Sequence, residues 1–265
     1  MTPDRRLACL AALGVDVYVR RPPPGAAPAA REVAPVAEPV PRSRPATRSP
    51  DIDDLARPVA VTGTTPAEPA VAGLGWEPLE AMVAGCTRCT LCQTRTKTVF
   101  GTGDRHARWM FIGEAPGADE DRQGEPFVGR AGQLLTSMLR AIGLRREDVY
   151  IANILKCRPP GNRDPRPEEA AQCRGYLERQ IELVEPAIVV AVGRIAAQNL
   201  LATEVPLARL RGRLHALGAR GWPVVVTYHP AYLLRSPGEK RKVWQDLLFA
   251  RQELARLDSA GRSAT

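Results

Sequence analysis

The chain has 265 residues, 25 of them proline, and a formal net charge of +8. Twelve of the prolines fall between Pro22 and Pro69 among Ala, Arg, Thr and Glu, a composition that cannot bury enough apolar surface to offset the entropy of ordering it and so excludes one uniformly packed globule. From Trp76 on about 190 residues remain, enough for one well-buried α/β core, and the basic surplus favours an acidic partner such as nucleic acid without requiring one.

Residues 1–19 read as a short N-terminal appendage, with a helix over Arg5–Leu13 and a strand over Val15–Val19. Residues 20–75 read as a disordered Pro/Ala-rich linker of polyproline character, able to tether a protein partner. Arg5-Arg6 and the apolar run Leu7–Val15 mimic a secretory leader. Asp16 interrupts that run, which is too short to span a bilayer, and no small-x-small cleavage site follows. Six cysteines in such a chain suit a reducing compartment, the cytoplasm, and metal ligation rather than disulfides.

From Trp76 the pattern becomes regular. Glu77–Ala84 reads as a short helix leading into Cys86. The continuous apolar run Trp109–Ile112, closed by Gly113, predicts a buried strand. Gly129–Ile142 carries a helical stripe of Leu134, Leu135, Met138, Leu139 and Ile142, ending at Gly143. Val149–Leu155 is a second strand and Pro167–Val184 a helix with Pro in its first turn and Glu168 and Glu169 at its positive end. Ala187–Val192 is a third strand, Ile195–Leu201 a helix, Pro223–Thr227 a fourth strand and Glu239–Leu257 a closing helix. This alternation predicts a three-layer αβα fold around a mainly parallel four-stranded sheet, spanning residues 76–258 with a flexible tail at 259–265. Ligands bind such sheets at the carboxyl ends of the strands. Gly113-Glu114, Asn153 and His229 all fall there.

Cys86-Thr-Arg-Cys89, with Cys157 and Cys173, is a pair plus two distant members. Four such thiolates suit tetrahedral zinc or a cubane iron–sulfur cluster, and spacing alone does not choose between them. Cys92 extends the pair to a third Cys-x-x-Cys step, and Cys9 and Cys92 are left as free thiols. The stretch Arg158–Pro165 between the distant cysteines has three prolines, and its Arg158 and Arg163 would suit phosphate contact.

The cysteines together with Gly113-Glu-Ala-Pro-Gly117, Gly124-Glu-Pro-Phe-Val-Gly129, Tyr150-Ile-Ala-Asn-Ile-Leu-Lys-Cys-Arg-Pro-Pro160 and His229-Pro-Ala-Tyr-Leu-Leu-Arg235 resemble the family 4, thermophile-type uracil-DNA glycosylases. The resemblance spans roughly Cys86 to Leu254. It implies a uracil-DNA glycosylase-like fold and hydrolysis of the N-glycosidic bond of uracil in DNA during base-excision repair. It also implies a 4Fe–4S cluster on Cys86, Cys89, Cys157 and Cys173, and a monomer acting on uracil-containing DNA.

Each pocket role follows from that match. Asn153 would read the pyrimidine edge, since its amide pairs with uracil and opposes cytosine. Phe127 would stack on the base, and His229 would donate to O2 as negative charge develops there. Glu114 falls in the catalytic loop, and Glu120 in the wall near C5 that excludes thymine. Asp119 and Asp121 read as a solvated acidic turn. Ala115 lines the base site where other uracil glycosylases carry an Asp that assists water attack; its absence implies a dissociative reaction. Leu233 and Leu234 would wedge into the minor groove and Arg235 would clamp a phosphate. Lys240, Arg241, Lys242 and a helix over Arg209–Leu214 would extend the basic strip. Two other readings compete: a binder that traps uracil-DNA without turnover, and a non-catalytic iron–sulfur interaction module. The binder's relatives carry a basic insert ending in His after the second strand, and Arg158–Asp164 contains no His.

Overall fold

A computed structural model of the chain describes residues 71–263. The elements expected over residues 1–19 and the linker up to residue 70 lie outside the described residues. Val71 is buried and, with Leu74, packs in the same cluster as Leu79, Val83, Phe100 and Tyr176.

Helix α1 (Trp76–Ala84) precedes β1 (Thr102–Gly103) and β2 (Trp109–Gly113). Helices α2 (Ala118–Gln123) and α3 (Arg130–Ala141) lead to β3 (Tyr150–Asn153). Helix α4 (Pro167–Val184), β4 (Ile188–Val192), α5 (Arg194–Leu200) and α6 (Leu207–Leu210) follow. Strands β5 (Leu214–Leu217) and β6 (Trp222–Thr227) then lead into α7 (Pro230–Arg235) and α8 (Lys240–Ser263).

The sheet order is β1-β3-β2-β4-β6-β5. Its four central strands are parallel, as expected, while β1 and β5 add antiparallel edges that the sequence reading did not include. The Arg209–Leu214 segment is not one helix: a single turn ends at Leu210 and β5 begins at Leu214, with Gly212 at positive φ between them. The C-terminal helix runs on to Ser263, through most of the tail expected to be flexible.

Every residue of β2, β3 and β4 is buried, because helices cover both faces of the sheet. Alternate residues feed two cores. Met110, Ile112, Ala152, Val189, Ala191, Val224 and Val226 pack with Leu177 and Ile181 of α4. Trp109, Phe111, Ile151, Val190, Val192 and Val225 pack with Leu135 and Leu139 of α3 and Leu247 of α8. The chain goes from β2 to β3 on one side and then to β4 on the other. The carboxyl end of β2 is thus the topological switch point where such sheets open a crevice. No helix among the described residues is long and apolar enough to cross a membrane.

Candidate active site

Three strand ends build the site. β2 delivers Gly113 and then Glu114, β3 ends on Asn153, and β6 runs through Thr227 into Tyr228 and His229. Gly113 and Asn153 are direct partners in the parallel register. A Cβ on Gly113 would stand 2.5 Å from both Asn153 Oδ1 and Phe127 Cζ, so only a residue without a side chain lets amide and ring meet there. Asn153 is 2% exposed and its Oδ1 has no hydrogen-bond partner among the described residues. An unmet buried acceptor costs about 1–3 kcal/mol, and it marks a position where a ligand donor would restore the bond.

Phe127 holds a left-handed backbone, φ 55°, that costs a bulky residue on the order of 1 kcal/mol. Its neighbours enforce that conformation. Glu120 Oε1 accepts from Val128 N at 2.9 Å and Gly129 N at 3.0 Å, while Oε2 accepts from Gly117 N at 3.1 Å. Arg146 donates to the Pro126 carbonyl. At Gly132 a Cβ would lie 1.7 Å from the Phe127 carbonyl oxygen. Glu120 therefore ties the turn after β2 to the Phe127 loop, with both oxygens engaged by backbone. Asp121, read from the sequence as a solvated acid, is 3% exposed and accepts from Thr96 N at 2.9 Å.

The His229 ring lies 5.6 Å from the Phe127 ring at 33°. Its Nδ1 accepts from Ala231 N at 3.1 Å, which leaves Nε2 as the protonated nitrogen. Burial first, and then Arg235, push its pKa down to about 4, so the ring is neutral near pH 7. A Cβ on Gly193, at φ 99°, would lie 2.9 Å from His229 Cβ. Behind His229, Thr227 Oγ1 donates to Asp246 at 2.7 Å. Arg211 grips that carboxylate at 2.8 and 2.9 Å and covers the Tyr228 ring at 4.4 Å.

Asn153, Phe127 and His229 thus stand together. Glu114 leaves β2 beside them, partly buried, with no hydrogen bond to its carboxylate among the described residues. Burial and then the charge of Asp164 push it up to about 7, against the pull of Arg194. Ala115 is packed against the core.

The segment after His229 is helix α7, in which successive side chains point to different faces. Leu233 is 1% exposed and belongs to the core, whereas Leu234 is 39% exposed. Of the expected pair of wedges, only Leu234 is presented to solvent, with Arg235 beside it. Arg163, expected at a phosphate, forms a two-pronged pair with the buried Glu169 at 2.8 and 2.6 Å. Arg158 donates to Asn162 at 2.7 Å.

The four predicted cysteine ligands line one small enclosed cavity together with Cys92, Lys156 and Arg95. None of the five thiols is in a disulfide. Among the described residues, no three His, Cys, Asp or Glu side chains converge closely enough to hold a single metal ion. Burial pushes the Cys157 and Cys173 thiols up, Cys173 to about 12, so thiolates there need a cationic centre to stabilise them. Arg95 donates to Cys157 Sγ at 3.1 Å and to Cys86 O at 2.8 Å. Lys156, wholly buried, donates to Asn153 O at 3.0 Å and Gln180 Oε1 at 2.5 Å. Neither Arg95 nor Lys156 carries a sequence signal that sets it apart from other basic residues.

Residues 100–248 match the Uracil DNA glycosylase superfamily. The chain is 50% identical over 161 residues to a type-4 uracil-DNA glycosylase of Archaeoglobus fulgidus, covering 58% of this chain and 81% of that protein. It is 47% identical over 169 residues to a type-4 uracil-DNA glycosylase of Thermotoga maritima, covering 62% and 87%. Against a type-5 uracil-DNA glycosylase of Pyrobaculum aerophilum the identity is 35% over 146 residues, covering 49% and 64%. Both identity and coverage are greater against the type-4 proteins, and the chain belongs to the type-4 uracil-DNA glycosylases of that superfamily.

Proposed function

We propose that the protein hydrolyses the N-glycosidic bond of uracil in DNA, releasing free uracil and leaving an abasic site for repair. The observation that carries the reading is the unpartnered, buried Oδ1 of Asn153 beside the Phe127 ring. An extruded uracil presents N3–H to that acceptor, whereas cytosine presents N3 as an acceptor and would leave two acceptors facing each other. Extrusion costs a few kcal/mol. Stacking on Phe127 and the hydrogen bond to Asn153 offset it, with Leu234 filling the vacated stack and Arg235 contacting a phosphate.

His229, neutral with its proton on Nε2, donates to O2 without carrying a charge of its own. As the C1′–N1 bond breaks, its electron pair goes to uracil, and the negative charge that develops on O2 is stabilised by this donor. Water then forms the new bond to C1′ and passes a proton to Glu114. Ala115, in place of an Asp, leaves Glu114 as the carboxylate beside the pocket. Glu120 acts by holding the Phe127 loop, which shapes the wall near C5.

The four cysteines suit a 4Fe–4S cluster. Thiolates bound to separate irons stand further apart than four ligands of one zinc ion, in keeping with a shared cavity that offers no single-ion geometry. When bound, the cluster would brace the segment before β2 against the Cys157–Cys173 stretch. The protein acts as a cytoplasmic monomer, with residues 76–258 as the catalytic domain and the proline-rich segment before it as a tether for a partner.

The test is excision from a uracil-containing oligonucleotide, followed by alkali and a search for strand cleavage, with Asn153→Asp alongside the wild type. Cleavage by the wild type and its loss, by roughly a factor of 10³ or more, in a variant that still binds abasic DNA supports the reading. An uncleaved strand with intact cluster absorbance would favour a non-turnover binder or an interaction module instead.

A further inference from the structure

Strand β6 ends in a joint that carries two functional groups. Thr227 closes the strand, Tyr228 follows, and His229 caps α7, the helix that presents Leu234 and Arg235. A cation from another part of the chain holds that joint. Arg211 stands between the single turn of α6 and Gly212 at φ 67°, with its side chain 13% exposed. Its guanidinium donates to both oxygens of Asp246 at 2.8 and 2.9 Å and to the Lys242 carbonyl at 2.9 Å, which fixes it against α8. The buried Asp246 also accepts from Thr227 Oγ1 at 2.7 Å, and the Thr227 carbonyl accepts from Gly193 N at 2.8 Å. The guanidinium carbon lies 4.4 Å from the centre of the Tyr228 ring. Tyr228 in turn rests against Tyr232, with ring centres 5.1 Å apart, and Tyr232 N donates to the His229 carbonyl at 2.9 Å. His229 is thus bracketed by residues tied to one guanidinium, directly or through one ring.

A buried ion pair is weak evidence for stability, and fixing a geometry is the role it suits better. The planar guanidinium engages a carboxylate two-pronged while its face covers an aromatic ring, a combination that a lysine ammonium does not reproduce. We propose that Arg211 is a positioning residue for the reaction, holding Tyr228 so that His229 keeps its orientation toward the base. The inference rests on the reading of His229 as the donor to the departing uracil. Arg211 acts through Thr227 and Tyr228, the two residues ahead of His229.

Deleting the Arg211 charge would leave the Asp246 carboxylate buried without its cation and destabilise the fold. The experiment therefore uses Tyr228→Leu, which removes the stacked ring and keeps the ion pair, and Arg211→Lys, which keeps the charge and loses the fork. Each is made in the full chain, alone and combined with His229→Gln. The first readout is the long-range 1H–15N spectrum of His229 at neutral pH without DNA, assigned by the signals missing in His229→Gln. In the wild type a protonated Nε2 and an acceptor Nδ1 give two well-separated nitrogen signals. In both variants these are expected to move toward each other as the bond from Ala231 N loosens. The second readout is the maximal single-turnover excision rate, expected to fall on the order of 10-fold in either variant. In the His229→Gln background the same changes are expected to cost no more than about twofold. Nitrogen signals that stay put in both variants overturn the inference, as does a rate loss equally large with and without His229. A wild type that excises nothing sinks the proposed function alone, since the nitrogen signals report on His229 in the absence of DNA.

Discussion

Asn153 and Phe127 meet over Gly113, each 2.5 Å from the point where a Cβ would project. Pairing of Gly113 with Asn153 in the β2–β3 register puts the amide there, and the strained Phe127 loop brings the ring from the other side. Gly113→Ala therefore strikes the site at its least compressible point. Overpacking of this kind costs about 1–3 kcal/mol, and a displacement of about 1 Å costs on the order of 10²-fold in rate. The expected outcome is a folded protein with lowered Tm and kcat/KM reduced by about that factor. Retention of full activity would mean that Asn153 and Phe127 do not act together on the base.

His229 and Glu114 shape the pH dependence of stability in opposite directions. The folded-state pKa of His229, about 4, lies below its unfolded value near 6.5. Its contribution is present above 6.5 and lost as pH falls through 4, which amounts to about 2 kcal/mol by pH 5. The folded-state pKa of Glu114, about 7, lies above its unfolded value near 4.5. Its contribution is present below 4.5 and lost as pH rises through 7, reaching on the order of 3 kcal/mol at pH 8. Urea midpoints at pH 5 and pH 8 separate the two. His229→Gln should lose less stability on acidification than the wild type. Glu114→Gln should be the more stable protein at pH 8 although it is the less active.

How much of this was legible in the sequence depends on how local each signal is. The runs Trp109–Gly113 and Ile188–Val192 announce strands buried on both faces, because nothing but apolar side chains fits between two helical layers. The edge strands β1 and β5 are short and partly exposed, so neither shows a run or an alternation. Asn153, Phe127 and His229 are legible because each sits in a distinctive motif. Leu233 and Leu234 are not separable in sequence; the turn of α7 decides which one is core. Asp121 reads as a solvated acid and Glu120 as part of the wall near C5, yet both carboxylates accept from backbone amides in buried turns. The pairings Asp164–Arg194 and Arg95–Cys157 join residues 30 and 62 positions apart, a relation no local pattern carries.

The two adjacent leucines of α7 give a clean separation of stability from function. Leu233→Ala removes a buried side chain and should cost about 2–5 kcal/mol of stability. Leu234→Ala changes an exposed one and should leave stability within about 0.5 kcal/mol. If Leu234 fills the gap behind a flipped nucleotide, its loss should lower excision from duplex DNA more than from single strands, where no stack is held open. Thermal melts and paired single- and double-strand assays test both halves. Equal losses on the two substrates would remove Leu234 as a wedge.

Cys92 shares the cavity with the four predicted ligands, which makes it the discriminating position for the metal site. It lies in a short 3-10 turn, where its backbone N donates to Cys89 O at 3.2 Å, a bond that does not involve the thiol. Cys92→Ser should therefore keep the turn, the visible absorbance of the proposed cluster and the melting temperature. Cys157 is buried, follows β3 and is held by Arg95. Cys157→Ala removes a proposed ligand and leaves the Arg95 guanidinium without its sulfur acceptor. The expected result is a bleached protein melting lower by on the order of 10 °C, or about 3 kcal/mol. Iron content and absorbance read the cluster directly, independent of excision. Because the cavity offers five thiols to a four-thiolate cluster, bleaching in Cys92→Ser with retention in any one of the other four single variants would reassign the ligand set around Cys92.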